Sequence, residues 1–210
     1  MRVLRYGGSG WLIELGSSAQ VTAAYRALRS ASDAGGLTGV VELVPAARTV
    51  LVAGESVSRE RVDAVLRALA SHPEAAARAE PERPEVVIPV RYDGADLELV
   101  ADTASLSVPE VVELHSSARY TVAFCGFAPG FGYLSGLPEP LCQARLDSPR
   151  QRVPAGSVGV AGEFCGVYPR SSPGGWRLIG RTEQTMFDPS AEPPSRLAPG
   201  DQVRFEPISS

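Results

Sequence analysis

The sequence contains no lysine and no asparagine, so every basic side chain other than histidine is arginine. Without lysine there is no P-loop, because that motif places a lysine on the β- and γ-phosphates. Schiff-base chemistry and serine–lysine nucleophile pairs are excluded for the same reason. Histidine is scarce, with only His72 and His115. The three cysteines, Cys125, Cys142 and Cys165, form no C-x-x-C pair. That pattern argues against a structural zinc site and for small buried reduced thiols, so no metal is expected. No apolar run approaches the roughly 18 residues of a membrane helix, and Met1 to Gly8 lacks the apolar stretch of a signal peptide. A cytoplasmic protein without a membrane partner is expected. A net charge of −4 with no long basic run argues against nucleic-acid binding.

The 210 residues, 44% hydrophobic, suffice for one large domain or two small ones. Short apolar runs at Val3 to Tyr6 and Trp11 to Leu15 flank Gly7-Gly-Ser-Gly10, a hairpin-like signal. Residues 17–34 read as a helix, with Ser17 or Ser18 as cap, Val21, Tyr25 and Leu28 on one face, and Gly35-Gly36 as the stop. Strands are expected at Val40 to Val44 and Thr49 to Ala53. A second helix is expected from about Ser58 to Ser71, with Val62, Val65, Leu66 and Leu69 as its apolar stripe. The order gives an α+β N-terminal domain, ββαββα-like, over residues 1–80, with both helices on one face of an antiparallel sheet. Residues 73–85, with Pro73, Pro81 and Pro84, read as a linker.

Residues 85–210 read as β. Val86 to Tyr92 and Leu97 to Val100 flank Asp93-Gly94, a hairpin signal. Ser107-Val-Pro-Glu110 has capping-box spacing and opens one helix, on which Val108, Val112 and His115 share a face. Strands follow at Tyr120 to Cys125, Trp176 to Ile179 and Gln202 to Phe205, with a proline-rich loop at 189–199. Many short strands with Gly/Pro turns predict a closed or partly closed barrel.

Gly126 to Thr182 is dense in glycine, proline and aromatics. It reads as a walled cleft built on loops, with bare backbone beside Phe127, Phe131, Tyr133, Tyr168 and Trp176. Pro129, Gly130, Pro154, Gly156, Ser157 and Gly174 belong to the same expected substrate-binding or partner-binding surface. Taken singly the aromatics are ordinary core residues; their association with glycine favours a site or an interface. His115 is a candidate general base or ligand-orienting donor, or else a helix-face histidine bonded to a carbonyl. Arg150 and Arg152, near Arg145, are candidate anion-binding catalytic residues, the alternative being surface pairs with Asp147 or Glu163. Ser157 is no nucleophile, since no histidine follows residue 115 to complete the triad order.

Three segments carry a resemblance that spans essentially the whole chain. They are Gly126 to Leu134, Ser148 through Gly162 to Tyr168-Pro169, and Ser172 to Thr182. Together they resemble the family of the 5-oxoprolinase B subunit, also called allophanate hydrolase subunit 1, which includes a bacterial sporulation-kinase inhibitor. They are similar too to part of the carboxyltransferase domain, subdomains C and D, of urea carboxylase. The resemblance implies a cyclophilin-like β-barrel after the α+β domain. It implies a non-autonomous subunit of an enzyme, 5-oxoprolinase, that opens 5-oxoproline to glutamate. ATP would be used through the complex, with A-type and C-type 5-oxoprolinase subunits as partners. The alternatives it leaves are a regulatory protein that binds a histidine kinase, and a subunit of a urea- or allophanate-type amidohydrolase or carboxyltransferase. Phosphorylation of the lactam oxygen would give Arg150 and Arg152 an anion to bind. Where the family favours Gln-Thr-Gly-Ile-Tyr-Pro, this chain has Phe164-Cys-Gly-Val-Tyr-Pro169; if the polar pair touches substrate, the substrate differs here.

Overall fold

A computed structural model describes residues 1–8, 10–72 and 85–208. The chain forms two compact units, Met1–Arg83 and Pro84–Ser210. The linker read at 73–85 lies, apart from Glu85, outside the described residues.

In the first unit, β1 (Arg2–Tyr6), β2 (Gly10–Glu14), α1 (Ser18–Asp33), β3 (Val40–Pro45), β4 (Thr49–Gly54) and α2 (Arg59–Ser71) follow in order. The strands pair antiparallel in the order β1-β2-β4-β3. Ser17 and Ser58 cap the helices by accepting from the amides of Gln20 and Arg61, each at 3.3 Å. Alternation along the strands puts Ile13, Leu43, Val50 and Val52 in one core with Val21, Ala24 and Leu28 of α1 and Val62 and Leu66 of α2. This is the ββαββα unit expected.

The second unit is a nearly closed barrel. Its seven-stranded mixed sheet runs β12 (Arg177–Arg181), β9 (Ser157–Ala161), β10 (Phe164–Val167), β7 (Gly132–Ser135), β6 (Tyr120–Cys125), β13 (Gln202–Pro207), β5 (Val86–Val90). A separate ribbon pairs β8 (Arg150–Val153) with β11 (Ser172–Gly174). The glycine-rich block therefore supplies six strands, β7 to β12, rather than loops alone. Ser157–Ala161 is buried at every residue, so it shows none of the alternation that marks a half-exposed strand.

The hairpin expected across Asp93-Gly94 is absent. Leu97–Ala104 is a helix, α3, burying Leu97, Val100 and Ala101 at helical spacing, and β5 pairs parallel with β13 instead. Helix α4 (Val108–Ser117) carries the expected capping box, but its buried face is Val111 and His115. The barrel core gathers Ile88, Val90, Val122, Leu134, Val158, Val160, Ile179, Val203 and Phe205.

The sheet edges meet at a seam between β5 and β12. Arg91 and Arg181 exchange two main-chain hydrogen bonds, both 2.9 Å. The chain then runs on along β12, with the Gly94 amide donating to the Ile179 carbonyl and the Asp96 amide to that of Leu178. The approach is close enough to require glycine. A Cβ on Gly94 would lie 2.3 Å from the Leu178 oxygen, and one on Gly180 would lie 2.6 Å from the Arg91 oxygen.

Candidate functional site

The residues singled out in the sequence fall in four places. His115 is sealed inside the barrel unit, with no exposed surface. Its Nδ1 shares a 2.7 Å hydrogen bond with the Tyr92 hydroxyl, and the rings of Tyr92, Tyr120 and Phe205 surround it. Nε2 is buried without a partner. Burial lowers its pKa to about 3, so it stays neutral. A base must reach solvent or substrate, so the general-base reading of His115 is corrected to a core histidine.

The aromatics form a second core. Phe131, Tyr168 and Trp176 are buried and meet edge to face, with ring centroids 5.3 to 6.4 Å apart. Tyr133 stacks on Phe124 at 4.2 Å. The glycines among them make room for rings. A Cβ on Gly174 would lie 2.5 Å from the Tyr168 hydroxyl, and one on Gly166 would lie 3.1 Å from Phe131. Burial raises the Tyr168 pKa. The expected aromatic wall is thus packed shut, with one exception. Phe127 is 57% exposed and holds a left-handed backbone, φ +69°. It sits at the tip of a tight loop in which Gly126 donates to the Phe131 carbonyl and Phe131 to that of Ala128. Pro129 is exposed on the same loop, and Gly130, at φ +82°, packs against Met186 and Phe187.

Arg150 and Arg152 lie on β8. Arg150 pairs with Asp96 at 2.6 Å, and the other Asp96 oxygen accepts from the Leu178 amide at 2.7 Å. The partners expected, Asp147 and Glu163, are not the ones used. Asp96 is 5% exposed, so this pair ties the ribbon to the seam rather than waiting for an anion. Arg152 is exposed, its Nε on the Ser171 hydroxyl at 3.1 Å. The catalytic trio His115, Arg150 and Arg152 is not brought together at one site.

The fourth place is a cleft of about 470 Å³ at the barrel seam. It is lined by Arg91, Ala155, Gly156, Pro169, Arg181 and the run Thr182–Thr185. Gly156 is the one residue expected at a binding surface that lines it; Pro154 is exposed next to it, and Ser157 is buried at the start of β9. At φ +79°, Gly156 donates to the Tyr168 carbonyl and accepts from the Thr182 amide, both 2.8 Å. A Cβ there would lie 2.1 Å from the Thr182 oxygen, so only glycine fits. Arg181 pairs with Asp93 at 2.8 Å, and both are well exposed. The Arg91 guanidinium has no hydrogen-bond or ion-pair partner among the described residues. Gln184 donates from Nε2 to the Val87 carbonyl at 3.4 Å, while its Oε1 is buried without a partner. Sequence reading missed Arg91 and the run beyond Thr182. Arg181 and Thr182 closed the third recognised segment, but nothing local marks Arg91, which joins them through a non-local pairing.

The thiols are not activated. Burial raises Cys165, and it pushes Cys125 up to about 11 with Asp201 adding to the rise. Cys142 is exposed, contrary to the expectation of buried thiols, and its pKa is also raised.

With this geometry in place, the comparison with known proteins is direct. The family described as carboxyltransferase domain, subdomain C and D, matches residues 1–197. The chain belongs to that family. Among relatives of this carboxyltransferase-type chain, the 5-oxoprolinase B subunit of Escherichia coli O157:H7 is 43% identical over 204 residues, 96% of this chain and 93% of the relative. The crystal structure of TTHA0988 is 35% identical with a TM-score of 0.76; the match covers 96% of this chain but 40% of that one, so this chain spans less than half its length. Protein PH0987 of Pyrococcus horikoshii is 38% identical with a TM-score of 0.57, covering 99% of this chain and 97% of that one. Within this carboxyltransferase-type fold the pair Phe164-Cys165 serves packing. Phe164 meets Phe124 and Tyr133 edge-on, and Cys165 is in the barrel core.

Proposed function

We propose that this chain is the B-type subunit of a heteromeric 5-oxoprolinase, which opens the lactam of 5-oxoproline to glutamate coupled to ATP hydrolysis. The observation that carries the reading is near-full-length similarity to a 5-oxoprolinase B subunit. The seam cleft supports it. Two arginines line the cleft, and among its lining residues Glu183, exposed to solvent, is the one side chain suited to act as a base. Such a cleft holds a polar ligand but does not hydrolyse an amide unaided, which suits one subunit of several.

In this reading ATP is not held at the helix starts among the described residues. The side chains of Ser17, Ser58 and Ser107 cap α1, α2 and α4, and at the start of α3 stands the carboxylate of Asp96, a charge of the same sign as a phosphate. ATP therefore belongs to a partner subunit in this reading. The test is reconstitution. Mixing the chain with A-type and C-type subunits should give ADP release that depends on 5-oxoproline, with no turnover by this chain alone. A complex that assembles but ignores 5-oxoproline rejects the reading.

A further inference from the structure

We propose that the seam cleft is a binding site for a small carboxylate, and that in the complex it holds the carboxylate of 5-oxoproline; the second part rests on the function proposed above. The volume of about 470 Å³ lies within the range of about 300–1,000 Å³ usual for small-molecule sites. Arginine presents a planar fork that matches a carboxylate with two parallel hydrogen bonds. Arg91 brings such a fork to the cleft with no partner of its own among the described residues. Arg181 brings a second, held by an exposed pair with Asp93 that solvent weakens and a ligand can displace. Both arginines are paired at the backbone by the bonds that close the barrel, so the two forks start from facing positions across the seam.

Gln184 supplies the complement. A buried acceptor without a donor is uncommon, and its Oε1 is one. The ring N–H of 5-oxoproline is a donor attached to the same carbon that bears the carboxylate. One small ring therefore offers an anion for the arginines and, once the Gln184 amide turns its buried Oε1 toward the cleft, an N–H for that acceptor from the adjacent atom. Gly156 completes the lining, its backbone held against Thr182 where no side chain fits.

The experiment is a titration of the full chain followed through backbone amide resonances, with 5-oxo-L-proline and with 2-pyrrolidinone, the same lactam without its carboxylate. The expected result is that 5-oxo-L-proline shifts Gly156, Thr182 and Gln184, while 2-pyrrolidinone at equal concentration does not. Arg91→Gln and Arg181→Gln should each weaken binding by about tenfold or more, as loss of a charge-assisted hydrogen bond does. The closing bonds are main-chain, so both variants should melt with the wild type. Shifts confined to other residues, no shift at all, or equal response to the two probes overturns the site without recourse to any variant. In the reconstituted complex, Arg91→Gln should raise KM for 5-oxoproline more than it lowers kcat. An active complex with unchanged KM overturns the site and leaves the functional reading standing. A complex inert to 5-oxoproline, built on a chain that still binds the carboxylate in the cleft, does the reverse.

Discussion

The aromatic shell and the seam cleft are built from the same glycine-rich segments, yet they use glycine in opposite ways. In the shell, Gly174 is bare so that the ring of Tyr168 can fill the space. At the seam, Gly94, Gly156 and Gly180 are bare so that main chain can approach main chain, and Gly156 also lines the cleft. Glycine density therefore reports close approach, not an opening.

The sharpest way to break this contrast is at the seam. Gly180→Ala drives a Cβ to 2.6 Å from the Arg91 oxygen, where no flexible side chain can yield. The expected loss exceeds about 4 kcal/mol, the range of severe backbone conflict. It is read as disappearance of the cooperative melt of the barrel unit; a variant melting like the wild type would show that the seam is not a fixed closure. Trp176→Ala comes next, because it empties a buried ring site among Phe131, Tyr133 and Tyr168. Destabilisation of about 3–4 kcal/mol by urea unfolding is expected, with carboxylate binding at the cleft unchanged in the folded fraction. Loss of binding out of proportion to folding would mean that the shell serves the site directly. Asp96→Asn joins the two regions, since Asp96 holds both Arg150 and the Leu178 amide. About 2 kcal/mol is expected by urea unfolding, below the usual figure for a buried pair because Arg150 is partly exposed. An unchanged midpoint would show that the ribbon is held without that pair. Phe127→Gly is the mildest. Relief of the left-handed backbone offsets the lost edge contacts with Phe131 and Tyr168, so stability should change by less than about 1 kcal/mol. A drop of the size expected for Trp176→Ala would place Phe127 in the shell rather than on its surface.

How much of this was legible follows from the same physics. The first unit could be read almost residue by residue, because its strands alternate and its helices carry serine caps and a regular apolar stripe. The barrel could be read as a class but not strand by strand. Ser157–Ala161 is buried throughout and hides its period. Leu97–Ala104 hid behind Asp93-Gly94, a turn signal that the long-range pairing of β5 with β13 overrides. Gly156 was marked by its motif, whereas Arg91 became a site residue only through its distant pairing with Arg181. His115 drew attention by its scarcity, and scarcity carries no information about burial.

The reciprocal bonds between Arg91 and Arg181 are the one two-way rung of the seam, with the Gly94 and Asp96 amides adding one bond each beyond it. Strands such as β9 and β10, or β5 and β13, are held by ladders of several rungs, whereas one rung joins the two arginines across the seam. A torn seam runs from a short row of stitches, so the amides of these two arginines are where the barrel breathes first. A ligand that gathers both guanidinium groups would sew that row tighter. Slower hydrogen exchange at those two amides would then report its arrival.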